Sequence, residues 1–487
     1  GDASMQIRIP YFMKGTASED CLSLNVFTPS WSPPPGGFPV MVFVHGGGFA
    51  GGDAIAYGDK GICEHLVTCD VIVVTIQYRL GYLGFFSTGD AACPGNLGLW
   101  DQCEALKWIQ LNIEAFGGNK DNVTVFGHSA GGASVDMLHC SPHSTGLFHK
   151  VIAMAGSADR AWSITPGMVN QSKKKADQLG ISGYRTSEEL LEMLRSVPAN
   201  KFSTNMMNPD VDEGVFFETT PFIDGDFFPE PIDNLRKKAK PKPVMAGVTK
   251  EEGILFMLKN KPSLEALKRC LKNAAKTAGN DAVADDLVHL YCDSEAPLDT
   301  EQLKLLNIRA LSDILMNTGT LNLCRKTAEA QNDPVYLYVF KHFNPKSLGI
   351  WRFFLPMTDS THSTELPYLF RRSILSPSFK LRKQDDLEVA DLFTTAVTNF
   401  AKHGNPNGPQ SDQSHLPSRW DPVRAPGYCN NYVIDSTKAY MDDKFFEGRP
   451  AKYLKIIHGK NVKTTSATIL DSASLSCFDL IRNTITL

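Results

Sequence analysis

The chain has 487 residues, of which 42 % are hydrophobic and 21 % charged, and its formal net charge is −4. That balance is ordinary for a globular protein and carries no excess of positive charge with which to hold nucleic acid. Its 11 cysteines include no C-x-x-C pair, which argues against a zinc site and a dense disulfide framework and predicts mostly buried thiols; no apolar run reaches the roughly 18 residues of a membrane span.

In chain order, Gly1 is followed by no charged-then-apolar leader, so the start reads as processed, trimmed or mispredicted and the compartment stays open. Apolar, β-rich runs then recur at Leu22 to Phe27, Val40 to Val44, Val71 to Gln77, Val123 to Phe126, Val151 to Met154, Val244 to Val248 and Val335 to Phe340. Helical patterns separate them. That alternation predicts an α/β fold with a mostly parallel sheet and helices on both faces. Between Ile254 and Cys324 the spacing of Leu303, Leu306 and Ala310 or Leu311 predicts a helical excursion, an arrangement that often caps active sites. The Pro- and Gly-rich pieces at Ser30 to Gly37 and Gly404 to Gly408 read as surface loops, and the basic clusters at Ser172 to Lys175 and Arg236 to Lys240 as solvated surface. The whole of 1–487 is expected to form a single domain.

Four of the runs end in residues that carry chemistry. Val40 to Val44 leads into His45-Gly-Gly-Gly-Phe49. Glycines bare their amides, which is what negative charge developing on a tetrahedral carbonyl requires, so Gly47, Gly48 and Ala130 are the expected donors of an oxyanion hole. A phosphate cradle would need a following G-K-[ST] or an acidic ribose partner, and neither is in place. Val123 to Phe126 runs into Gly127-His-Ser-Ala-Gly131, a G-x-S-x-G after a strand and before small residues suited to a helix start. This is the pattern of a nucleophile elbow, with Ser129 lifted above the sheet edge and the helix dipole aimed at the same point.

Val244 to Val248 is followed by Lys250-Glu-Glu-Gly253, which puts Glu251 or Glu252 at the carboxyl edge of the sheet. The residues alone do not choose between them. With the chain order serine, acid, histidine, the base is one of His289, His342, His362, His403, His415 and His458. His342 ends the strand Val335 to Phe340 and reads as a buried histidine with a structural hydrogen bond. His362 lies in the polar loop Asp359 to Pro367 beyond that strand.

Ser18-Glu-Asp-Cys-Leu-Ser-Leu-Asn-Val-Phe-Thr-Pro29, the HGGGF loop, Tyr78-Arg-Leu-Gly81, Gly95-Asn-Leu-Gly-Leu-Trp-Asp-Gln102, FGGNKDNVTVFGHSAGG and Gly404-Asn-Pro-Asn407 together resemble the type-B carboxylesterase family, α/β-hydrolases that include the cholinesterases. The likeness runs over nearly the whole chain. It implies an α/β-hydrolase fold, a catalytic triad of Ser129, Glu252 and His362, an acyl-pocket wall at Trp162, and acyl transfer from a small-molecule ester to water without metal or organic cofactor. It also implies an extracellular or ER-lumenal location, with the cytoplasm as the alternative. Cholinesterases carry glutamate immediately before the serine; His128 stands there, which implies a preference for neutral esters over choline esters. Family members have further strands and a cysteine upstream that bridges to the residue matching Cys21; this chain begins too late for them and is expected to lack the usual N-terminal strands. The family also includes inert adhesion proteins, the alternative reading.

Overall fold

The computed structural model describes residues 2–6, 16–160, 162–204, 217–257, 262–292, 298–376, 379–409, 416–424, 427, 429–436 and 438–459. Two short strands, β1 (Ala3–Ser4) and β2 (Ala17–Ser18), pair in parallel near the start. The other strands are β3 (Leu24–Phe27), β4 (Phe38–Val44), β5 (Ile72–Ile76), β6 (Gly118–His128), β7 (Lys150–Met154), β8 (Val244–Thr249), β9 (Val335–Phe340), β10 (Asn431–Asp435) and β11 (Lys438–Asp442). They form one 9-stranded sheet in the order β11-β10-β9-β8-β7-β6-β4-β5-β3. Every pairing from β5 across to β10 is parallel, and only the edge strands β3 and β11 are antiparallel.

The apolar runs explain that sheet. β5, β7, β8 and β9 are buried along their whole length, as strands covered on both faces must be. Alternate residues of β4 feed two cores: Val40, Val42 and Val44 pack on one face, Met41 and Phe43 on the other. The first core takes Leu99, Leu106 and Ile109 from helix Leu97–Asn112 and Val135 and Leu138 from helix Ala130–Cys140. The second takes Val389, Phe393 and Phe400 from helix Gln384–His403. The helical excursion is present as Leu264–Thr277, Ala284–Tyr291, Thr300–Ser312 and Thr318–Ala330.

The strand order reverses around β4, with β5 on one side and β6 on the other. Ligands of open α/β sheets bind beyond the carboxyl ends of strands at such a switch point. His45 to Phe49 follows β4 there and the G-x-S-x-G turn follows β6.

Some expectations are corrected. The hairpin β10–β11 carries no strong apolar run and was not anticipated. The basic clusters are only partly solvated: Arg236 is buried, with Nη1 2.6 Å from Asp136 Oδ1, and Lys175 is buried with its ammonium donating to the Ser203 carbonyl. Burial works against the Arg236 charge, and the carboxylates of Asp136 and Asp159 hold the guanidinium protonated in spite of it. Cys21, Cys103, Cys140, Cys324 and Cys429 are buried free thiols. Among the described residues no helix is long and apolar enough to cross a membrane. The C-terminal stretch 474–487 lies outside the described residues.

Candidate active site

β6 ends at His128, and the next residue, Ser129, has φ 59° and ψ −123°, a conformation that side chains other than glycine rarely adopt. Packing holds it there. The Ser129 amide donates to the Met154 carbonyl at 2.8 Å, and its own carbonyl accepts from the Ala133 amide at 2.9 Å. A Cβ on Gly127 would meet the Gly131 carbonyl oxygen at 2.4 Å, and one on Gly131 would meet the Val44 oxygen at 2.0 Å. Strand and helix therefore pass each other only because both residues are glycine. Ser129 remains half-buried, and Ala130 begins the helix Ala130–Cys140, where an amide lies outside the helical ladder.

The loop after β4 is equally constrained. Gly47 has φ 122° and Gly48 φ 61°, and a Cβ on Gly47 would lie 2.0 Å from the Gly51 oxygen. The Tyr78 hydroxyl donates to the His45 carbonyl at 2.9 Å, and the Gly81 amide donates to the Phe49 carbonyl at 2.8 Å, so the Tyr78 to Gly81 motif is a brace for this loop. Gln6 forms a second brace, which sequence reasoning missed: its Nε2 donates to the Gly52 carbonyl at 2.9 Å and its Oε1 accepts from the Gly52 amide at 2.7 Å. No pattern around a single glutamine just past so short a strand signals this. In the Gly95 to Gln102 motif, Asp101 binds the Arg79 guanidinium through both oxygens, at 2.8 and 2.6 Å.

Beyond β8, Glu252 opens the 3₁₀ turn Glu252–Met257 and is fully buried. Its Oε1 accepts from the Thr249 amide and its Oε2 lies against His362 Nδ1, each at 2.6 Å. Burial pushes its carboxyl up, but His362 and these hydrogen bonds outweigh that and hold it below the usual carboxylate range. An ionised carboxylate only accepts, so Nδ1 carries the proton and Nε2 of a neutral His362 is bare. Glu251 turns elsewhere: its Oε1 faces Arg309 Nε at 3.9 Å, and burial raises its pKa to about 7.

Hydroxyls stitch the His362 loop onto the Glu252 turn. Ser360 Oγ donates to the Phe340 carbonyl at 2.9 Å, the Glu251 amide donates to the Ser360 carbonyl at 2.9 Å, and Thr361 Oγ1 accepts from the Leu255 amide at 3.2 Å. That is the local meaning of the Asp359 to Thr364 sequence. His128, the neighbour of Ser129, has its ring centroid 4.5 Å from that of His362, and Phe256 packs on the same imidazole at 5.2 Å. Phe256 was another omission, since its place depends on the path of the 3₁₀ turn.

The structure thus brings Glu252 and His362 together and sets His362 beside the Ser129 turn. His342 is bound instead to Asp386, 3.0 Å from its Nε2, in a buried network with Asn344 and Tyr368. Trp162 is buried, donates its indole N–H to the Leu315 carbonyl at 2.6 Å and packs edge-on to Phe217. His415 lies outside the described residues.

Residues 2–451 match the model of the carboxylesterase family. The chain is similar to esterase cest-33 of Caenorhabditis elegans, 36 % identical over 464 residues that cover 90 % of this chain and 81 % of that one. It is also similar to the bile salt-activated lipase of Mus musculus, 30 % identical over 90 % of this chain and 74 % of the lipase. Neuroligin-2 of Homo sapiens is 30 % identical over 92 % of this chain and 57 % of its own length.

Proposed function

The chain belongs to the carboxylesterase family, and from that premise we propose that it is a serine carboxylic-ester hydrolase acting through an acyl-enzyme on neutral esters. Ser129 attacks the ester carbonyl while His362 Nε2 takes its proton, and Glu252 fixes the imidazole's tautomer and stabilises its positive charge. The amides of Gly47, Gly48 and Ala130 receive the oxyanion, an interaction stronger in the transition state than in the ground state. The alcohol leaves with the proton from His362, and water repeats the cycle on the acyl-enzyme. The observation that carries this reading is the 2.6 Å Glu252–His362 hydrogen bond beside a serine held at φ 59°.

Substrate class follows from the residue before the serine. His128 is buried with its basicity suppressed by burial and by His362, so it offers no anion to a quaternary ammonium group. Esters without charge lose nothing by this. kcat/KM should therefore be higher for phenyl thioacetate than for acetylthiocholine on one preparation. A clear preference for the choline ester would contradict the assignment. The similarity to neuroligin-2 keeps a non-catalytic binding role as the competing reading, and absence of turnover on either ester would favour it.

A further inference from the structure

The mechanism above leaves two buried polar side chains at the heart of the site without a task. His128 Nε2 lies 3.3 Å from Glu365 Oε1, with side-chain exposures of 2 % and 0 %. Among the described residues none of these atoms, nor Glu365 Oε2, makes a hydrogen bond of good geometry, so the 3.3 Å approach is the nearest polar pairing either side chain has. Buried polar atoms are costly when unpaired, so the close approach has to be attractive. It is attractive only with one proton between the two atoms. With none, two lone pairs face each other; with two, an N–H opposes an O–H.

We propose that Glu365 and His128 share one proton and act as a positioning pair that holds the His362 imidazole against the Ser129 turn. The inference rests on the serine-hydrolase reading for its catalytic consequence, though not for the pairing itself. The groups facing the pair are Glu252 and His362 from their two loops, Tyr57 from the turn Ala54–Tyr57 and Tyr338 from β9. Burial and the Glu252 charge raise the Glu365 pKa to about 8, while burial suppresses protonation of His128, so at neutral pH the proton rests on Glu365. Both members are then uncharged. That matters because His362 becomes positive during acyl transfer, and a second imidazolium 4.5 Å away would oppose it.

The test is nitrogen NMR of the full chain labelled at histidine, with the His128 signals identified by their loss in His128→Gln. In the parent, these signals should report a neutral ring near neutrality and shift in the alkaline range as Glu365 ionises. Glu365→Gln can still donate a hydrogen bond but cannot ionise, so its His128 signals should stay flat there. In hydrolysis of p-nitrophenyl butyrate, Glu365→Ala should lower kcat about tenfold at little cost in KM, with Glu365→Gln restoring part of it. Identical His128 titrations in parent and Glu365→Gln would overturn the pair whether or not the protein hydrolyses esters. A parent that shows the coupling but no hydrolysis would overturn the hydrolase reading and leave the pair standing. Should Glu365→Ala fail to fold, the comparison with the near-isosteric Gln decides.

Discussion

Glu251 and Glu252 are neighbours with opposite environments. Glu252 gains a hydrogen bond to an amide and one to an imidazole, whereas Glu251 is buried 3.9 Å from the nearest nitrogen of Arg309. Glu252→Gln should therefore lower kcat on the order of 10⁴-fold, because an amide no longer fixes the tautomer or balances the imidazolium. Glu251→Gln should stay close to the parent in the same p-nitrophenyl butyrate assay, and the reverse pattern would make Glu251 the acid. The sequence could not separate the two, since adjacent residues in a turn differ only in the direction that tertiary packing gives them. The tight turn at Ser129 was legible because its glycines and preceding strand are local. Glu365 was not, because its partner His128 lies on another element.

At the scale of elements, the β6–helix turn and the loop after β4 are one packed unit. The Val44 carbonyl lies where a Cβ of residue 131 would be, and the His128 carbonyl where one of residue 46 would be, at 2.0 and 2.5 Å. Gly131→Ala should force strand and helix apart, costing about 1–3 kcal/mol of stability and most of the activity. A thermal melt with a parallel hydrolysis assay checks this, and an unchanged melt would deny the close packing. Runs rich in Val and Ile announced the buried parallel strands, and the glycine clusters announced the tight turns between them. The hairpin β10–β11 escaped notice because its outer strand is half exposed and polar, Lys438–Asp442, with no two-sided apolar signature. Gln6 escaped for a different reason: its effect comes wholly from long-range contact with Gly52.

For the molecule as a whole, the buried acids and imidazoles of the site make stability depend on pH. Glu365 has an ordinary value of 4.5 in the unfolded chain and about 8 when folded, so the native state keeps a proton that the unfolded state has released. Its contribution is complete below about 4.5 and is lost as pH rises toward about 8; Glu251 acts likewise up to about 7. His128 works in the other direction, since its suppressed protonation is lost as stabilisation when pH falls below 6.5. Thermal melts between about pH 5 and about pH 9 should show Glu365→Gln declining less on the alkaline side than the parent. An equal decline would mean that Glu365 is already ionised in the folded protein. The proposed hydrolysis depends on Ser129 as its nucleophile, and the most direct measurement is treatment with a fluorophosphonate followed by mass spectrometric location of the adduct. One phosphonyl group on Ser129, absent from Ser129→Ala together with ester hydrolysis, is the expected result. An unlabelled Ser129 in a protein that still hydrolyses esters, or undiminished hydrolysis by Ser129→Ala, would contradict it.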